Sequence, residues 1–401
     1  MKKVVIFYPF ITQQNAFSGG VAKVVIANII SLISTEYEPH LILNLNNQGL
    51  IHYVEKHYCE CKIHPVNVVT PSYFSDSKGL TRAKLVLAGV QKFIKSKRCL
   101  SRIIKEISPE IIHYHEVVCL PFLSIKSKAK KILHIHSYRF TSYHITMYFL
   151  KLMINKNVDL IISPTFSIFE KIKTLTEKKL IVLPTPYYNV ISENENILDD
   201  DVCEKLQVFK KNGKIIFSFV GRICKIKRID HFLHAISSLS PEIKEKFVFA
   251  IMGTTNTNGD IQYYNLLLEI IKQNNLTNVY FLGYVNVIED ALKYVDLGVV
   301  LTESEALPMA ILEYMQMNIP VLGYDVAGIK DVLLDSQNGF LIENGNIQKL
   351  TETLMKSITD QSYVDNIRIG IHKLTLKYEQ QIFSESINNL YQELLSDICI
   401  L

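Results

Sequence analysis

Residues 297–313 read LGVVLTESEALPMAILE, and this stretch decides the fold class. An apolar run of strand length is followed by a polar turn, and Pro308 then precedes an apolar pattern of helical period. Proline suits the first turn of a helix because the backbone N–H that it lacks has no partner there. The stretch therefore predicts a buried strand, a loop and a helix, which together are the repeating unit of a parallel sheet.

The same alternation of short apolar runs and helical patterns continues in both directions along the chain. It predicts strands near residues 4–8, 41–45, 62–66, 111–115, 132–136, 160–162, 180–183, 215–220, 247–252, 279–282, 297–300 and 321–323. Helical patterns lie between them, among others at residues 21–32, 85–107, 230–239, 261–273, 308–317 and 347–357. We therefore predict an α/β protein with two Rossmann-like, doubly wound domains that face each other across a cleft.

The length of 401 residues exceeds one ordinary domain and suggests two of about 200 residues each. Pro184 and Pro186 precede a polar, acidic stretch at residues 192–201, which is typical of a linker. We predict a first domain at residues 1–190, a linker at 191–212 and a second domain at 213–375. The last stretch, 376–401, is predicted as a helix that could cross back to the first domain.

Charge is unevenly distributed along the chain. Residues 1–190 contain 25 Lys and Arg against 11 Asp and Glu, a net charge of +14, whereas the remainder has a net charge of −10. Residues 78–105 carry nine basic side chains, no acidic one, and an apolar pattern of helical period. A basic amphipathic helix of this kind is compatible with an anionic membrane surface, and equally with an ordinary solvated face.

Hydropathy and cysteine usage predict the cell compartment. No apolar run approaches the roughly 18–20 residues that cross a bilayer, and the run after Lys3 is too short for a signal peptide. The seven cysteines are odd in number and scattered, which favours reduced thiols. We therefore expect a cytoplasmic protein, either free or peripheral at the inner face of the membrane. One cluster alternates like a strand and predicts packing more readily than zinc binding: His57, Cys59, Cys61 and His64.

Two cations follow the first predicted strand of the second half. Arg222 stands just beyond this strand, and Lys227 comes five residues later. Arginine offers a planar fork and lysine a point charge, so the two side chains can converge on one anion such as a diphosphate. The simpler alternative is a basic, solvated turn.

The stretch 297–313 supplies complementary groups. If its helix begins as predicted, the backbone N–H groups of Leu307, Met309 and Ala310 lie at a positive helix end, which suits a phosphate. Glu305 stands before this helix and Glu313 inside it, so both can face one elongated ligand. Carboxylates accept pairs of hydroxyl groups, as on a sugar and a ribose. As alternatives, Glu313 is an exposed helix acid and Glu305 a partner of the helix dipole.

The first half has a glycine-rich loop after its first strand. Gly19 and Gly20 open the helix predicted at residues 21–32, so a ligand can approach free backbone N–H groups there. The pair is not a Gly-x-Gly-x-x-Gly motif, which disfavours a nicotinamide cofactor. A plain turn before a helix is the alternative.

Histidines end two consecutive strands of the first half. His134 and His136 share one side of the strand predicted at residues 132–136, with His136 at its mouth. His113 and His115 end the preceding strand. Carboxylates spaced as metal ligands do not accompany them, so we interpret these histidines as hydrogen-bonding groups and His136 as a ligand contact.

Together these motifs resemble the family 4 retaining nucleotide-sugar glycosyltransferases, which have the two-domain GT-B fold. The resemblance covers nearly the whole chain and is strongest in the Glu-x7-Glu motif that runs from Glu305 to Glu313. Supporting motifs are VGRI at 220–223 with Lys227, FLGYV at 281–285, NGFL at 338–341, the loop of Gly19 and Gly20, and His136.

The resemblance implies a role for each of these residues. Arg222 and Lys227 would neutralise the donor diphosphate. Glu313 would hold the ribose hydroxyls, Glu305 the donor sugar, and His136 would contact that sugar from the first domain. The remaining donor contacts would come from Gly19, Gly20, Gly221, Gly283, Tyr284, Val285, Leu307, Pro308 and Met309.

Three positions depart from the family pattern. Arg228 stands where a glycine often follows the lysine, and Ala306 replaces a common glycine after the first acid. Residues 183–186 lack the Asn-Gly pair often found at the end of the first domain. The linker can therefore follow a different path, but no catalytic group is missing.

The resemblance implies a transferase that moves a hexose or N-acetylhexosamine from a nucleotide-diphosphate sugar, a UDP-sugar in our prediction, with retention of configuration. The expected acceptor is lipid-linked or polysaccharide, in the synthesis of a bacterial capsule, exopolysaccharide or lipopolysaccharide O-antigen. No Asp-x-Asp motif stands at a strand end, so we expect no metal, no cofactor besides the nucleotide sugar, and no nucleic-acid partner. The alternatives are a nucleotide-sugar epimerase of the same architecture, which would release free epimerised sugar, and a non-catalytic sugar-nucleotide-binding subunit.

Overall fold

The computed structural model describes residues 1–9, 20–68, 80–136, 144–187 and 200–396. The chain divides into two compact units, the first comprising Met1–Val190 with Lys377–Leu401 and the second comprising Ile191–Leu376. Each unit contains its own parallel β-sheet with helices between the strands. The predicted α/β class with two Rossmann-like domains is therefore confirmed.

The first unit is built on strands β1 (Lys2–Tyr8), β2 (Tyr37–Asn44), β3 (Lys62–Val66), β4 (Ile111–His115), β5 (Lys130–His134), β6 (Leu160–Ser163) and β7 (Lys179–Val182). The helices between them are α1 (Gly20–Leu32), α2 (Gln48–His57), α3 (Leu80–Ile107), α4 (Leu120–Leu123), α5 (His144–Asn157) and α6 (Phe166–Lys173). The strands pair in parallel in the order β3-β2-β1-β4-β5-β6-β7.

The second unit is built on strands β8 (Ile215–Val220), β9 (Phe247–Met252), β10 (Val279–Gly283), β11 (Leu297–Val300), β12 (Val321–Tyr324) and β13 (Gly339–Ile342). Its helices are α7 (Asp200–Lys211), α8 (Ile229–Ser237), α9 (Pro241–Lys244), α10 (Asn258–Gln273), α11 (Ile288–Leu292), α12 (Met309–Gln316), α13 (Ile347–Thr359) and α14 (Gln361–Thr375). The strands pair in parallel in the order β10-β9-β8-β11-β12-β13.

In both sheets the chain reverses the direction in which it adds strands. The reversal falls between β1 and β4 in the first unit and between β8 and β11 in the second. The loops that leave two such strands diverge to opposite faces of the sheet and open a crevice at its carboxyl edge, where α/β proteins bind ligands. The quoted stretch 297–313 runs along β11 and through the loop beyond it, at the switch point of the second sheet.

Helix α15 (Gln380–Ser396) belongs to the first unit although it follows the second unit in sequence. Its apolar side chains Phe383, Ile387 and Tyr391 are buried in the core that also contains α1 and β1. Asn388 Nδ2 donates to the backbone carbonyl of Ser31 at 2.9 Å, which fixes the helix against the end of α1. Burial of an apolar face therefore holds the last described helix on the first unit.

The predicted linker at residues 191–212 is wrong over its second half. Residues 200–211 form α7, which buries Val202 and Leu206 in the second unit. Asp200 and Asp201, the last residues of the acidic stretch that suggested a linker, begin this helix, where the positive end of the helix dipole favours them. Strand β13 was not predicted, because it starts with Gly339 and offers only three apolar residues.

The strand-like alternation expected around His57 and His64 is also wrong. His57 ends α2, a turn follows, and only Lys62 begins β3. Cys61 is buried, which raises the pKa of its thiol to about 12, whereas Cys59 is exposed. Among the described residues, these four side chains do not form a group able to share a metal ion.

The six cysteines in the described ranges are free thiols. No helix within those ranges has the length and apolar character required to cross a membrane.

Candidate active site at the switch point of the second sheet

Two loops meet at the carboxyl ends of β8 and β11. The loop after β8 contains a short 3-10 turn at Lys225–Lys227, and the loop after β11 leads into α12. The backbone N–H of Glu303 donates to the carbonyl of Ile226 at 2.9 Å. This bond joins the two loops, so side chains that lie far apart in sequence share one surface.

Ion pairs bridge the two loops. Lys227 Nζ donates to Glu305 Oε2 at 2.5 Å, and each of these side chains is 25% exposed. Arg228 pairs with Glu303 in the same way. Arg228 has a left-handed backbone with a φ of 51°, a conformation that favours glycine, and its side chain makes the ion pair with Glu303.

A third cation, Arg222, extends from the end of β8 toward α10. Its Nε lies 4.0 Å from Asp260 Oδ2. Asp260 is buried, and with Thr257 it forms the capping box of α10, so its carboxylate is held in place by backbone N–H groups. Arg222 thus has an acidic neighbour but keeps much of its guanidinium exposed.

Helix α12 begins directly after the loop that carries Glu305. Pro308 is the N-cap, one residue earlier than its predicted position near N1, and no side chain caps the helix. Tyr314 hydrogen bonds to Ser218 of β8 at 2.9 Å, and its ring packs where a Cβ on Gly298 would lie. The packing fixes the helix with its N-terminal N–H groups at the switch point. Glu313 is buried in this helix.

Glycines allow the strand ends of the second sheet to approach each other closely. Gly253 N–H donates to the carbonyl of Gly283 at 2.6 Å, and Gly221 N–H donates to the carbonyl of Met252 at 3.0 Å. A Cβ on Gly253 would lie 1.8 Å from the carbonyl oxygen of Gly221. Any side chain at position 253 would therefore push the loop that carries Arg222 out of place.

Another glycine, Gly328, packs against the backbone of the loop that carries Glu305. A Cβ on Gly328 would lie 2.2 Å from the carbonyl oxygen of Glu305, and its φ of +87° is one that L-residues avoid.

In the loop after β10, Tyr284 is 39% exposed while Val285 is buried. Gly283 has a φ of +79°, which turns the chain and presents the Tyr284 ring at the surface.

In the first unit, His136 lies two residues beyond the end of β5. Its backbone N–H donates to Glu116 Oε2 at 3.1 Å, and its Nε2 lies 3.0 Å from Nδ1 of His115. Burial lowers the pKa of His136 to about 3, so the imidazole is neutral at pH 7. Gly20 begins α1, whereas Gly19 lies outside the described residues.

The structure brings together most of the residues that the sequence analysis selected in the second half. Lys227 and Glu305 are in direct contact, and Arg222 leaves the strand end that neighbours them. Gly221, Gly283, Tyr284, Val285, Leu307, Pro308, Met309 and Glu313 lie on the loops and the helix described above. The ligand roles assigned to all of them, and to Gly20 and His136, stay predictions.

Sequence reasoning missed three residues at the site in the second unit and, separately, Glu116 in the first unit. Glu303 could have been found as a second acid two residues before Glu305, and Asp260 from its capping-box spacing to Thr257. Glu116 has a φ of 80° and directly follows β4 at the switch point of the first sheet. It could have been found as an acid directly after a predicted strand. The close approach of Gly253 to Gly221 could not be predicted, because the sequence shows only a glycine after a strand.

Comparison with known proteins found a family match within the second unit. Residues 204–372 match the family model of glycosyl transferases group 1. The N-acetyl-alpha-D-glucosaminyl L-malate synthase of Bacillus anthracis is 24% identical over 212 residues, which cover 53% of this chain and 53% of that protein. CapM of Staphylococcus aureus, a capsular polysaccharide biosynthesis glycosyltransferase, is 24% identical over 223 residues, or 55% of this chain and 57% of that protein. The matches span about half the length of these curated relatives.

The whole chain also has solved structural neighbours. The crystal structure of Anabaena HepE in complex with UDP and glucose is similar over 98% of this chain and 100% of HepE, with a TM-score of 0.73 and 14% sequence identity. Similarity at this identity concerns the fold. The two parallel sheets of this chain match the two Rossmann-like domains of the GT-B fold.

Proposed function

We propose that this chain is a group 1 glycosyltransferase that transfers a hexose or N-acetylhexosamine from a UDP-sugar. The match of residues 204–372 to that family model and the GT-B fold support this proposal. The acceptor in this proposal is lipid-linked or polysaccharide, and the product is a bacterial surface glycan such as capsule, exopolysaccharide or O-antigen. The relative CapM is a capsular polysaccharide biosynthesis glycosyltransferase, which supports this class of product.

The contact between Lys227 and Glu305 carries the proposal. It joins a cation on one loop to an acid on the next at the point where ligands bind in α/β sheets. A nucleotide sugar needs this pair of groups side by side, because its diphosphate is adjacent to its sugar. We assign Lys227 to the diphosphate and Glu305 to hydroxyl groups of the transferred sugar.

Charge develops at the diphosphate as the bond between the anomeric carbon and the phosphate oxygen breaks. Fixed positive groups stabilise such a transition state because they need no reorganisation when the charge appears. We propose that Lys227, Arg222 and the uncapped N-terminus of α12 supply this stabilisation. In this proposal no divalent cation takes part in the transfer step.

The nucleoside is assigned to the opposite end of the same surface. Glu313 is buried in α12, close in sequence to the helix N-terminus, and a carboxylate there is suited to a pair of ribose hydroxyls. The partly exposed ring of Tyr284, beside the buried Val285, is suited to a base. The structure of HepE holds UDP and glucose, which supports UDP as the nucleotide.

Retention of configuration is also proposed. The acceptor hydroxyl attacks the anomeric carbon from the face that the diphosphate leaves, and its proton passes to the departing phosphate oxygen. This front-face route requires no side-chain nucleophile, and we assign none. His136 is neutral because of its burial, which is compatible with a hydrogen bond to a sugar hydroxyl.

Helix α3 offers a surface for the acceptor's lipid. In its described part, Leu100 and Ile104 face the core, while the opposite face is basic and exposed. We propose that this face rests on anionic lipid, so that a lipid-linked acceptor meets the enzyme at the membrane. The exposed basic residues that form it are Lys92, Lys95, Arg98, Arg102 and Lys105.

A donor screen followed by product analysis tests the proposal. UDP-glucose, UDP-galactose, UDP-GlcNAc and UDP-GalNAc are added singly, with GDP-mannose as a control, and the melting temperature is measured. The true donor raises the melting temperature because it binds only the folded state. That donor is then incubated with lipid-diphosphate and oligosaccharide acceptors, and the anomeric configuration of the product is determined by NMR.

Transfer with retained configuration supports the assignment in full. Inverted product refutes retention but leaves the transferase assignment standing. Release of an epimerised nucleotide sugar without any acceptor would show that the chain is an epimerase. If no nucleotide sugar raises the melting temperature, the donor site proposed at Lys227 and Glu305 is wrong.

A further inference from the structure

Three histidines form a closed group in the first unit that the proposed transfer reaction does not use. His113 and His115 extend from β4, and His134 extends from β5 opposite His115 in the strand register. All three side chains are completely buried. One ligand nitrogen from each lies within 4.8 Å of the others.

The ring nitrogens of this group are unsatisfied. Nε2 of His113, Nε2 of His115 and both ring nitrogens of His134 are buried without a hydrogen-bond partner. A buried polar atom without a partner is costly, so folded proteins seldom keep several of them in one place. Four such atoms within one group indicate that something binds there.

In two of the rings, the nitrogen that would not bind the metal has a hydrogen-bonding partner, as it does in metal-binding histidines. His113 Nδ1 lies 2.7 Å from the hydroxyl oxygen of Tyr391, and His115 Nδ1 lies 3.0 Å from Nε2 of His136. In each ring the bonded nitrogen is Nδ1, and the free nitrogen is Nε2. Metal-binding histidines usually have such a partner on the second nitrogen, because it fixes the tautomer and the ring orientation.

We propose that His113, His115 and His134 bind one Zn²⁺ ion, which is a structural site of the first unit. Three imidazoles are a ligand set that zinc favours, and a tetrahedral ion keeps a fourth position for water or another side chain. Zinc–nitrogen bonds of about 2.0–2.1 Å bring the ligand nitrogens to about 3.4 Å apart, so the rings close slightly around the ion.

The proposed ion joins parts of the chain that are distant in sequence. It would link β4 to β5, and through the contact between His113 and Tyr391 it would also fix α15 on the first sheet. Burial lowers the pKa of His113 to about 3, so this ring is neutral at pH 7, the form that binds metal. The pKa values of His115 and His134 are lowered by burial as well.

Metal analysis tests the site directly. The full chain, produced without a polyhistidine tag in zinc-supplemented medium, is passed through gel filtration, and its zinc content is measured by mass spectrometry. We expect about one zinc per chain, because the three histidines form a single site. His64→Gln serves as the control, because His64 is a half-buried histidine of the same unit that contacts a single other histidine, His40. This variant should keep its zinc.

The variant His134→Leu separates the proposal from a purely structural role for the histidines. If zinc binds, this variant loses the metal and melts at a lower temperature than the parent. If nothing binds, leucine removes two unsatisfied nitrogens from a buried position, and the melting temperature stays the same or rises.

Should His134→Leu fail to fold, cobalt replaces zinc in the parent chain. After removal of zinc with a chelator, added Co²⁺ should produce the visible absorption bands of a tetrahedral site with nitrogen ligands. Zinc below a tenth of an equivalent overturns the proposal, as does the absence of cobalt bands. Because no nucleotide sugar enters these measurements, their outcome is independent of the proposed transferase activity.

Discussion

Removing the ammonium group of Lys227 should reduce turnover far more than it reduces stability. The side chain is 25% exposed and lies 2.5 Å from Glu305. At an effective dielectric constant of about 20, a charge in this position attracts a phosphate oxygen about 4 Å away by on the order of 4 kcal/mol. Loss of one preorganised transition-state partner costs about 2.7–4 kcal/mol, so Lys227→Ala should lower kcat about 10²–10³-fold.

The matched control comes from the same turn. Lys225 is exposed two residues before Lys227, and Lys225→Ala should leave kcat within about twofold, since an exposed charge is screened by solvent. Initial rates are measured at saturating donor and acceptor, and KM is followed separately. The melting temperature of each variant shows whether it is folded. Equal kcat values for Lys227→Ala and Lys225→Ala would refute the assignment of Lys227 to the leaving group.

A double-mutant cycle adds information on Glu305. Lys227 and Glu305 touch, so their effects on kcat should not add. Lys227→Ala leaves a partly buried carboxylate without its cation beside the donor diphosphate. Combining it with Glu305→Gln removes that repulsion, and the double variant should therefore lose less activity than the product of the two single losses. Strict additivity would mean that the two side chains act on separate parts of the donor.

Three further predictions concern the donor, the loops and the membrane. Glu313→Gln should weaken donor binding in calorimetry by about 10–100-fold, the loss of a charged hydrogen bond, whereas the exposed Glu352→Gln should not change it. Gly253→Ala should lower the free energy of unfolding in urea by about 1–3 kcal/mol, because its Cβ collides with the carbonyl oxygen of Gly221. Gly259→Ala has room for its methyl group and should leave that free energy unchanged. Binding to anionic vesicles in sedimentation should weaken by about 1 kcal/mol per basic residue changed to glutamine, and unchanged binding would leave α3 as ordinary surface. The residues to replace are Lys92, Lys95, Arg98 and Lys105.

Much of this architecture could be predicted because parallel strands are apolar throughout. The apolar runs of β1, β8 and β9 each begin directly after a lysine, and each is long enough to be recognised. Strand β13 escaped because glycine gives no hydrophobic signal, and α7 escaped because its acidic start resembles a linker. Short or mixed segments obtain their structure from packing against the rest of a unit, which a local pattern does not contain.

The candidate site was predictable in its components but not in its pairings. Arg222, Lys227 and Glu305 follow apolar strands, and the carboxyl ends of parallel strands meet at one edge, so their proximity follows from topology. That Lys227 pairs with Glu305 while Arg228 pairs with Glu303 depends on side-chain directions set by the left-handed backbone of Arg228. No spacing rule in the sequence encodes that conformation, and the usual preference for glycine argues against an arginine there.

These pairings change what the site should recognise. Lys227 already has an acid against it, and the guanidinium of Arg222 lies near Asp260, so a diphosphate exchanges one anionic neighbour for another. Such an exchange gains little from charge alone, because the positive charge of Lys227 already has the carboxylate of Glu305 beside it. Net affinity must then come from groups engaged together: the diphosphate at Lys227 and the N-terminus of α12, and sugar hydroxyls at the carboxylate of Glu305 that the lysine releases. Free phosphate or pyrophosphate offers only the first of these, so it should bind much more weakly than the intact nucleotide sugar.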